Sequence, residues 1–506
     1  MAIVTLQQKP INRVRYSAGG GGSWQLAANH YETRKQNMRI VCPRPDSETG
    51  VTSSDTMAKA AHSLAYPGRK YRMPIGVSFG SWPMRFELIT GPSGMYVGQY
   101  FGDVDYGYIV WPTAVAGSYT VTLRVYDQEY QRSTNPSAYA EVTYTLNCSA
   151  SLFVVLQQGT SVATFADIVK TTNADSTYVN KAVWIRGGSN VTYNVTSADG
   201  SNELQLNNKP KIWITDPDEA VTMDFSSAQI SLGNYNQAWF DFDNVINLCQ
   251  TLDNAHAIFF YGSVQDRCGV TIRSASAIRR GAVANDNPAV VTLFAPSGPR
   301  VDFYARCTDY SDFSAPFIDC YGVGGLIEET YGHNNVWSSG GLAQIIFPKG
   351  GNVDLCVRRI KGRNLTTNGI NGNSIYLLGS YNPVAQRNIE VSWCDIRLDD
   401  SSQGAILTNN AGAEGTIDLQ RNIWITRNNV YGAIDQNNTF YNQIYVSNNV
   451  VVSNNGAPIL GSSGNRTVVP SGNVSGNTSA GILDANNLLT GASRTAYLGL
   501  AGCEVA

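Results

Sequence analysis

The chain has 506 residues, so two to four domains are expected at the usual ~100–200 residues per domain. Its formal net charge is −3, which excludes the strong basic field of a nucleic-acid-binding protein. Only 15% of the residues are charged against a usual ~25%, but 10% are aromatic, which excludes a disordered chain. No apolar run approaches the ~18 residues of a membrane span. The composition predicts a large folded protein whose surface is made polar by Asn, Ser, Thr and Gly.

Nine cysteines lie far apart, and no Cys-x-x-Cys pair occurs. This spacing does not fit a zinc or redox motif, so we predict no metal site among them. We expect buried, reduced thiols and assembly in a reducing compartment. Residues 1–7 show no signal-peptide pattern. No motif predicts a cofactor, and a structural or catalytic Ca²⁺ stays open.

Residues 1–60 have little periodicity and contain four consecutive glycines, Gly19 to Gly22. Such a segment is either a flexible arm or an attachment region that orders on a partner. Apolar residues such as Trp24 and Tyr31 favour attachment.

Residues 61–150 show the pattern of a small all-β domain. In Ser118–Tyr126, the residues Tyr119, Val121, Leu123 and Val125 alternate with polar ones and predict one buried face. Turns rich in glycine and proline separate the strands, which favours a sandwich. The segments FELITGPSGM and IVWPTAVAGSYTVTLRVYDQ resemble Ig-like (cadherin-like) modules of bacterial and phage surface proteins. The other predicted strands are Phe86–Ile89, Tyr108–Trp111 and Ala140–Leu146.

Short alternating strands recur along residues 151–485. A repeated strand unit with insertions of variable length predicts a solenoid. Asparagines flank several of these strands, and asparagine tolerates the left-handed backbone angles needed at corners. The predicted strands are Lys211–Thr215, Gly269–Arg273, Val301–Cys307, Val353–Val357, Ile389–Trp393, Ile423–Arg427 and Ile444–Asn448.

This pattern resembles the right-handed parallel β-helix of the pectate-lyase-like proteins. The resemblance implies a capping helix at Thr164–Val169 and first coils at Trp184–Ile185, Leu204–Leu206 and Ile212–Ile214. The expected fold is therefore all-β, an Ig-like β-sandwich followed by a right-handed parallel β-helix. Residues 486–506 are expected to cap the helix, since an uncovered coil would expose unpaired strand edges.

One group of carboxylates and arginines suggests catalysis on polysaccharide. Hydrolysis needs two carboxylates beside the glycosidic bond, and a base or cation site needs a carboxylate near a basic residue. Strand spacing predicts that Asp395 lies near Arg359 and Asn429 on the adjacent coils. The alternatives are an ordinary surface of ion pairs and glycan binding without cleavage. The candidate catalytic residues are Glu390, Asp395, Asp399, Arg359 and Arg427.

A second group suggests glycan binding, because aromatic rings stack on sugars and carboxylates accept hydrogen bonds from hydroxyls. Loop decoration and an intersubunit contact are the alternatives. His333 lies in a turn-rich stretch and is expected to be solvated. The candidate glycan-binding residues are Tyr304, Tyr310, Tyr321, Asp309 and Asp312.

The whole order of segments resembles phage tailspikes and related virion fibres. The resemblance implies a homotrimer, assembled in the host cytoplasm and extracellular after lysis. It also implies docking on other virion proteins through residues 1–60 and binding of host surface polysaccharide, with or without cleavage. No nucleic-acid partner and no membrane span are expected.

Two other functions stay open at this point. Tailspikes carry a large C-terminal trimerisation domain, and only residues 486–506 follow the last recognisable coil here. That departure favours a structural head- or tail-decoration protein without enzymatic activity. The second alternative is a freestanding polysaccharide lyase or glycoside hydrolase.

Overall fold

A computed structural model gives the fold. It describes residues 15–17, 24–26, 38–44, 61–80, 82, 84–100, 102–126, 139–157, 181–188, 191–196, 203–206, 212–225, 227–233, 239–243, 245–250, 257–261, 268–273, 276–279, 289–294, 301–311, 313, 316–335, 344–349, 351–365, 374–378, 388–399, 404–409, 418–426, 428–431, 433–437, 441–447, 450–452, 467–471 and 474–476.

The described strands between residues 153 and 476 form a parallel β-solenoid of three sheets. Successive strands along the chain pass from the first sheet to the second and the third, so each sheet stacks parallel strands from successive coils. The described part of the first sheet has twelve strands. They are Phe153–Leu156, Ala182–Ile185, Ile212–Thr215, Trp239–Asp243, Cys268–Arg273, Val301–Cys307, Val323–Glu328, Leu355–Arg358, Ile389–Ser392, Asp418–Thr426, Tyr441–Ser447 and Thr467–Ser471.

The second and third sheets have eleven and nine described strands. Those of the second sheet are Thr192–Asn194, Val221–Asp224, Val245–Gln250, Ser276–Arg279, Tyr310–Ser311, Tyr331–His333, Lys361–Leu365, Asp395–Leu398, Asn429–Tyr431, Val450–Val452 and Val474–Gly476. Those of the third sheet are Glu203–Gln205, Gln229–Gly233, Ile258–Tyr261, Val291–Phe294, Ile318–Tyr321, Ile346–Pro348, Ile375–Leu378, Gly404–Asn409 and Ala433–Asn437.

The predicted solenoid is confirmed, and the strands predicted from the repeat all lie in the first sheet. Each of the seven segments predicted from the repeat overlaps a strand of the first sheet. Trp184–Ile185 and Ile212–Ile214 also lie in that sheet, and Leu204–Leu206 overlaps a strand of the third. The predicted capping helix, Thr164–Val169, lies outside the described residues.

Aliphatic side chains stack in register inside the solenoid. Val357, Val391 and Ile425 lie on consecutive strands of the first sheet and are fully buried. Burying a side chain of this size stabilises the fold by roughly 1.5–3 kcal/mol. The alternation of the strands places every second residue in this core and the others on the outer side of the sheet.

The corners between sheets repeat the same backbone conformation. Glu329, Arg359 and Trp393 each follow a strand of the first sheet, and their φ angles are +48°, +59° and +60°. Asn388, which also has positive φ, donates its side-chain amide to Asp354 Oδ1 at 3.0 Å. This bond between coils confirms the corner role predicted for asparagine.

Residues 38–148 contain an N-terminal β module, and all four strands predicted in it are confirmed. Its four-stranded sheet contains Leu64–Ala65, Ala140–Cys148, Gly117–Tyr126 and Arg85–Thr90. Its other sheets pair Tyr71–Pro74, Tyr108–Trp111 and Tyr96–Val97, and Arg39–Cys42 with Gly76–Ser78. Strands Arg15–Ser17 and Trp24–Leu26 pair with each other, and 3₁₀ turns span Ala61–Ser63 and Ala150–Leu152.

The module packs sideways on the outer face of the first sheet. One continuous apolar core contains Phe86 and Ile109 of the module together with Trp184, Trp239 and Leu326 of the solenoid. These three outward positions of the first sheet are apolar, and exposing them to water would be unfavourable. The module supplies the cover, so module and solenoid share a core.

Six cysteines whose side chains the structure describes are buried, as predicted, and have free thiols: Cys42, Cys148, Cys307, Cys320, Cys356 and Cys394. Within the described ranges, no helix has the length and apolar character needed to cross a membrane.

Candidate functional site

A group of buried charges lies where the module meets the first sheet. We call Arg306, Glu328, Glu329, Arg358 and Arg359 the junction cluster. Arg306, Glu328 and Arg358 occupy the same outward position on three consecutive strands. Arg358 is 1% exposed and Glu328 is 4% exposed. Buried charges of this kind are tolerated only when opposite charges and hydrogen bonds surround them.

Ion pairs join the cluster to itself and to the module. Arg358 Nη2 lies 3.4 Å from Glu328 Oε2 and donates to the backbone carbonyl of Val77 in the module. Glu329, at the corner, pairs with both Arg306 and Arg359. The cluster therefore links two consecutive corners of the solenoid to a strand of the module.

An aromatic ring of the module covers the cluster. The Arg359 guanidinium lies 3.8 Å from the centre of the Trp82 ring, a distance typical of a cation–π contact. Burial lowers the pKa of Arg359 to about 10, so it stays protonated at neutral pH. The cavity between Trp82, Tyr106 and the cluster measures about 10 Å³, which is about the room that one water molecule needs. A sugar does not fit in this space.

The structure separates the predicted catalytic residues. Glu390 lies on the first sheet next to Cys356 and is fully buried. Arg359 belongs to the junction cluster. Asp399 is exposed just after a strand of the second sheet, where its N–H donates to Leu365 O at 2.9 Å. Arg427 lies outside the described residues.

The strand spacing predicted that Asp395 lies beside Arg359, but the structure does not place these two residues side by side. Its neighbours in register are Lys361 on the preceding coil and Asn429 on the following one, and the second of these was predicted. Its carboxylate pairs with Arg363. The reason is the corner: Arg359 occupies the positive-φ position that turns the chain into the second sheet, and Trp393 is its equivalent on the next coil.

The predicted glycan-binding tyrosines are buried. Tyr304 lies under the module, where its hydroxyl donates to Glu328 Oε1 at 2.9 Å. Tyr310 lies inside the solenoid, with its ring centre 4.4 Å from that of Phe313. Tyr321 is 4% exposed and stacks on Phe294. None of the three presents an open ring face to a sugar. Asp312 lies outside the described residues.

An accessible group of polar side chains lies on the second sheet instead. We call the outward side chains of Tyr331, His333, Lys361, Arg363 and Asp395 the polar face. They come from three consecutive strands, and the residues that alternate with them, such as Gly332 and Ile396, are buried. The turn-rich sequence predicted a solvated loop histidine, but His333 ends a strand.

Asp309, on the preceding coil, extends the polar face. Its Oδ1 lies 2.7 Å from His333 Nε2, and its side chain is 40% exposed. The rings of His333 and Tyr331 stack with centres 4.6 Å apart. Lys361 Nζ lies 5.0 Å from the centre of the Tyr331 ring. Aromatic, cationic and carboxylate groups thus lie side by side on a rigid sheet.

The spacing of the two carboxylates determines what the polar face can do. Asp309 and Asp395 are three strands apart, and strands in a sheet lie ~4.8 Å apart, so about 14 Å separates them. Glycoside hydrolysis by two carboxylates uses separations of about 5–9.5 Å. This pair therefore fits ligand binding better than hydrolysis. Within the described residues, no three His, Cys, Asp or Glu side chains are grouped so that they could hold a metal ion.

The spacing of polar residues in the sequence indicates the polar face, but the residue types alone do not. Tyr331 and His333, Lys361 and Arg363, and Asp395 and Arg397 are three polar pairs, each two residues apart. Two-residue spacing places both members of a pair on one side of a strand. Only the register of the coils shows that the three pairs lie next to one another.

Comparison with known proteins adds little. No family model matches the chain, and no curated protein matches it. Among solved structures, a putative alpha-galactosidase from Bacteroides fragilis is similar at 12% identity and a TM-score of 0.15. The similarity covers 37% of this chain and 50% of that chain, so this chain spans half the length of that protein. A similarity at this level carries no argument about function.

Proposed function

We propose that this protein is a phage virion spike that binds host cell-surface polysaccharide without cleaving it. The observation that carries the proposal is the polar face, where Tyr331, His333, Lys361, Arg363 and Asp395 are grouped on the accessible side of the second sheet. Their hydrogen-bonding and aromatic groups suit a chain of sugars. The burial of Glu390 and Arg359 supports binding rather than cleavage.

The proposal includes the arrangement of the virion protein. The solenoid stacks parallel strands from coil to coil, and the all-β module, which we propose to be Ig-like, packs against its first sheet. Arg39–Cys42 belongs to the module, so the part of residues 1–60 that precedes this strand would dock on other virion proteins, and the solenoids would assemble as a homotrimer. A solution mass near three times 54.8 kDa, measured by light scattering, supports the trimer, and a monomeric mass argues against it.

The test is binding to a panel of purified bacterial surface polysaccharides by biolayer interferometry. We expect reversible binding to at least one of them and no shortening of the polymer in the same samples. Lys361→Ala should weaken binding about three- to tenfold, because it removes one polar contact of the polar face. Arg124→Ala, on the surface of the module, is the matched control and should bind like the wild type.

Three results would contradict this proposal. Cleavage of a bound polysaccharide would indicate an enzyme. Equal binding by the Lys361 and Arg124 variants would place the binding surface elsewhere. A complete lack of binding, with tight binding to phage particles, would favour the second candidate.

The second candidate is a structural decoration protein of the virion. The junction cluster favours it, because the buried ion pairs and the shared core join module and solenoid, and among the described residues the space beside the buried carboxylates has room for about one water molecule. Incorporation into particles can be measured by co-sedimentation of the purified chain with particles that lack it.

A further inference from the structure

The junction cluster contains more hydrogen-bond donors than its own carboxylates engage. Each of its three arginines forms an ion pair through Nη2, one with Glu328 Oε2 and two with the two oxygens of Glu329. Glu328 Oε1 accepts a hydrogen bond from the Tyr304 hydroxyl. Every carboxylate oxygen of the cluster therefore has a partner, whereas two of the arginines keep further N–H groups.

These surplus donors belong to Arg358 and Arg306. Among the described residues, Nε and Nη1 of Arg358 and Nε of Arg306 are buried and have no hydrogen-bond partner. Arg358 is 1% exposed and Arg306 is 7% exposed, so bulk water does not take the place of a partner. A buried donor of a charged group that lacks an acceptor is costly. These N–H groups therefore require an acceptor from outside the chain.

The cavity between module and solenoid is the place for such an acceptor. Arg306 and Arg358 both line it, and the module contributes apolar side chains such as Ile75, Val77 and Phe86. Its volume of about 10 Å³ has room for one water molecule or a single ion of similar size. A polyatomic anion such as sulfate or phosphate does not fit.

The charge around the cavity favours an anion over water. Three arginines and two glutamates line it, which leaves an excess of one positive charge. Glu390 also acts on Arg358, but it is the neighbour of Cys356 in register and does not line the cavity. A water molecule would accept hydrogen bonds but add two donors of its own, and the carboxylate oxygens of the cluster are already paired.

We propose that the junction cavity binds one monoatomic anion of the halide class, of which chloride is the abundant member. The anion accepts hydrogen bonds from Arg358 and Arg306 and offsets the excess positive charge. Because the cavity is lined by both module and solenoid, the bound anion stabilises the contact between them. This inference does not depend on the function proposed above.

The first test is thermal unfolding of the full chain in sodium chloride, sodium bromide and sodium gluconate at equal ionic strength. A ligand that binds only the native state raises the unfolding midpoint. We expect a saturable rise of about 1–3 °C in chloride and bromide relative to gluconate, at 10–100 times the dissociation constant. Equal midpoints in the three salts would overturn the proposal and leave water as the occupant.

The second test removes the surplus donors without changing the net charge. In Arg358→Met/Glu328→Met the midpoints in chloride and gluconate should coincide. Arg124→Met/Glu141→Met, which removes a surface ion pair of the module, is the matched control and should respond to chloride like the wild type. An unchanged response in both double variants would overturn the proposal. If the first double variant does not fold, Arg358→Lys replaces it, since lysine keeps the charge but lacks Nε and Nη1.

The third test locates the anion in crystals of the full chain grown in sodium bromide. We expect an anomalous-scattering peak in the junction cavity, within hydrogen-bond distance of the Arg358 guanidinium. A peak there without any halide-dependent stability would indicate an adventitious ion only. Halide-dependent stability with no peak in the cavity would place the anion elsewhere. Either of these two results would overturn the proposal.

Discussion

Burial changes the pKa of a single carboxylate, that of Asp319. It lies on the outer side of the third sheet, yet it is 3% exposed, and Lys349 Nζ lies 2.6 Å from its Oδ2. Burial raises the pKa of Asp319 from its ordinary 3.8 to about 6, although Lys349 acts in the opposite direction. The native state therefore binds this proton more tightly than the unfolded chain does, and ionisation destabilises the fold.

This sign leads to a prediction for Asp319→Asn. The wild type loses stability relative to the variant as pH rises from about 4 to about 6, by up to about 3 kcal/mol for a shift of this size. Thermal unfolding at pH 4.5 and pH 7.5 measures the difference. The exposed Asp399→Asn is the control, and equal pH dependence in both variants would contradict the prediction.

Arg358 is a second residue whose environment determines its role. Its side chain is fully buried, and it pairs with Glu328 and the Val77 carbonyl. We expect Arg358→Met to cost about 3–5 kcal/mol of stability, because it leaves a buried carboxylate without its partner. The double variant Arg358→Met/Glu328→Met removes both charges and should recover most of the loss. Thermal unfolding of the two variants checks this, and an equal loss in both would argue against the ion pair as the cause.

Among the secondary-structure elements, the strand Gly76–Ser78 makes a close contact between module and solenoid. A Cβ atom at Gly76 would lie 2.4 Å from Cε2 of Tyr304, closer than atoms can approach. The glycine thus lets this strand lie directly on the tyrosine ring, which in turn bonds to Glu328. The strand Gly76–Ser78 can take this position because Gly76 has no side chain.

We therefore expect Gly76→Ala to destabilise the protein by about 1–3 kcal/mol, the usual cost of overpacking. Tyr304→Leu removes the ring, so the double variant Gly76→Ala/Tyr304→Leu should lose less than the sum of the two single variants. Unfolding midpoints of the four proteins give this coupling. Additive losses would show that the contact between Gly76 and Tyr304 does not limit the packing.

For the molecule as a whole, the shared core makes the module and the solenoid depend on each other. Phe153, Trp184, Ile214, Trp239 and Leu326 lie on the outer side of the first sheet and are buried in the core of the module. Exposed apolar surfaces of this kind cause association in water. The solenoid without its cover should therefore not behave as a separate domain.

This predicts the outcome of removing the module. Residues 151–506 expressed alone should aggregate or bind a hydrophobic dye strongly, whereas the full chain should not. Size-exclusion chromatography and dye fluorescence measure both properties. A soluble, dye-negative 151–506 fragment would show that the outer face of the first sheet does not need the module.

Much of the architecture could be predicted from the sequence. The strands of the module and the repeated strands of the first sheet follow from alternation, because a strand with one buried face must alternate. The buried corner asparagines follow from the same local chemistry. Asn428, for example, accepts from the Cys394 N–H at 3.0 Å and donates to Val391 O at 3.1 Å.

The candidate site could be predicted only in part. The sequence singles out Asp309, His333 and Asp395, but in three separate roles, and it does not single out Tyr331, Lys361 or Arg363. The reason is that neighbours on the polar face are about 20 to 35 residues apart in the chain, with insertions of unequal length between them. The composition identifies the charged residues, but the register between successive coils determines which of them are neighbours.

The sequence by itself determined that this is an all-β protein with a stacked-strand solenoid, because alternation and corner residues are local properties of the chain. The tertiary structure alone decided which outer face is open. The module covers part of the first sheet, including the junction cluster; Glu390 is buried on the same sheet, and the polar face of the second sheet stays accessible. Burial depends on contacts between distant segments, and no local pattern records them.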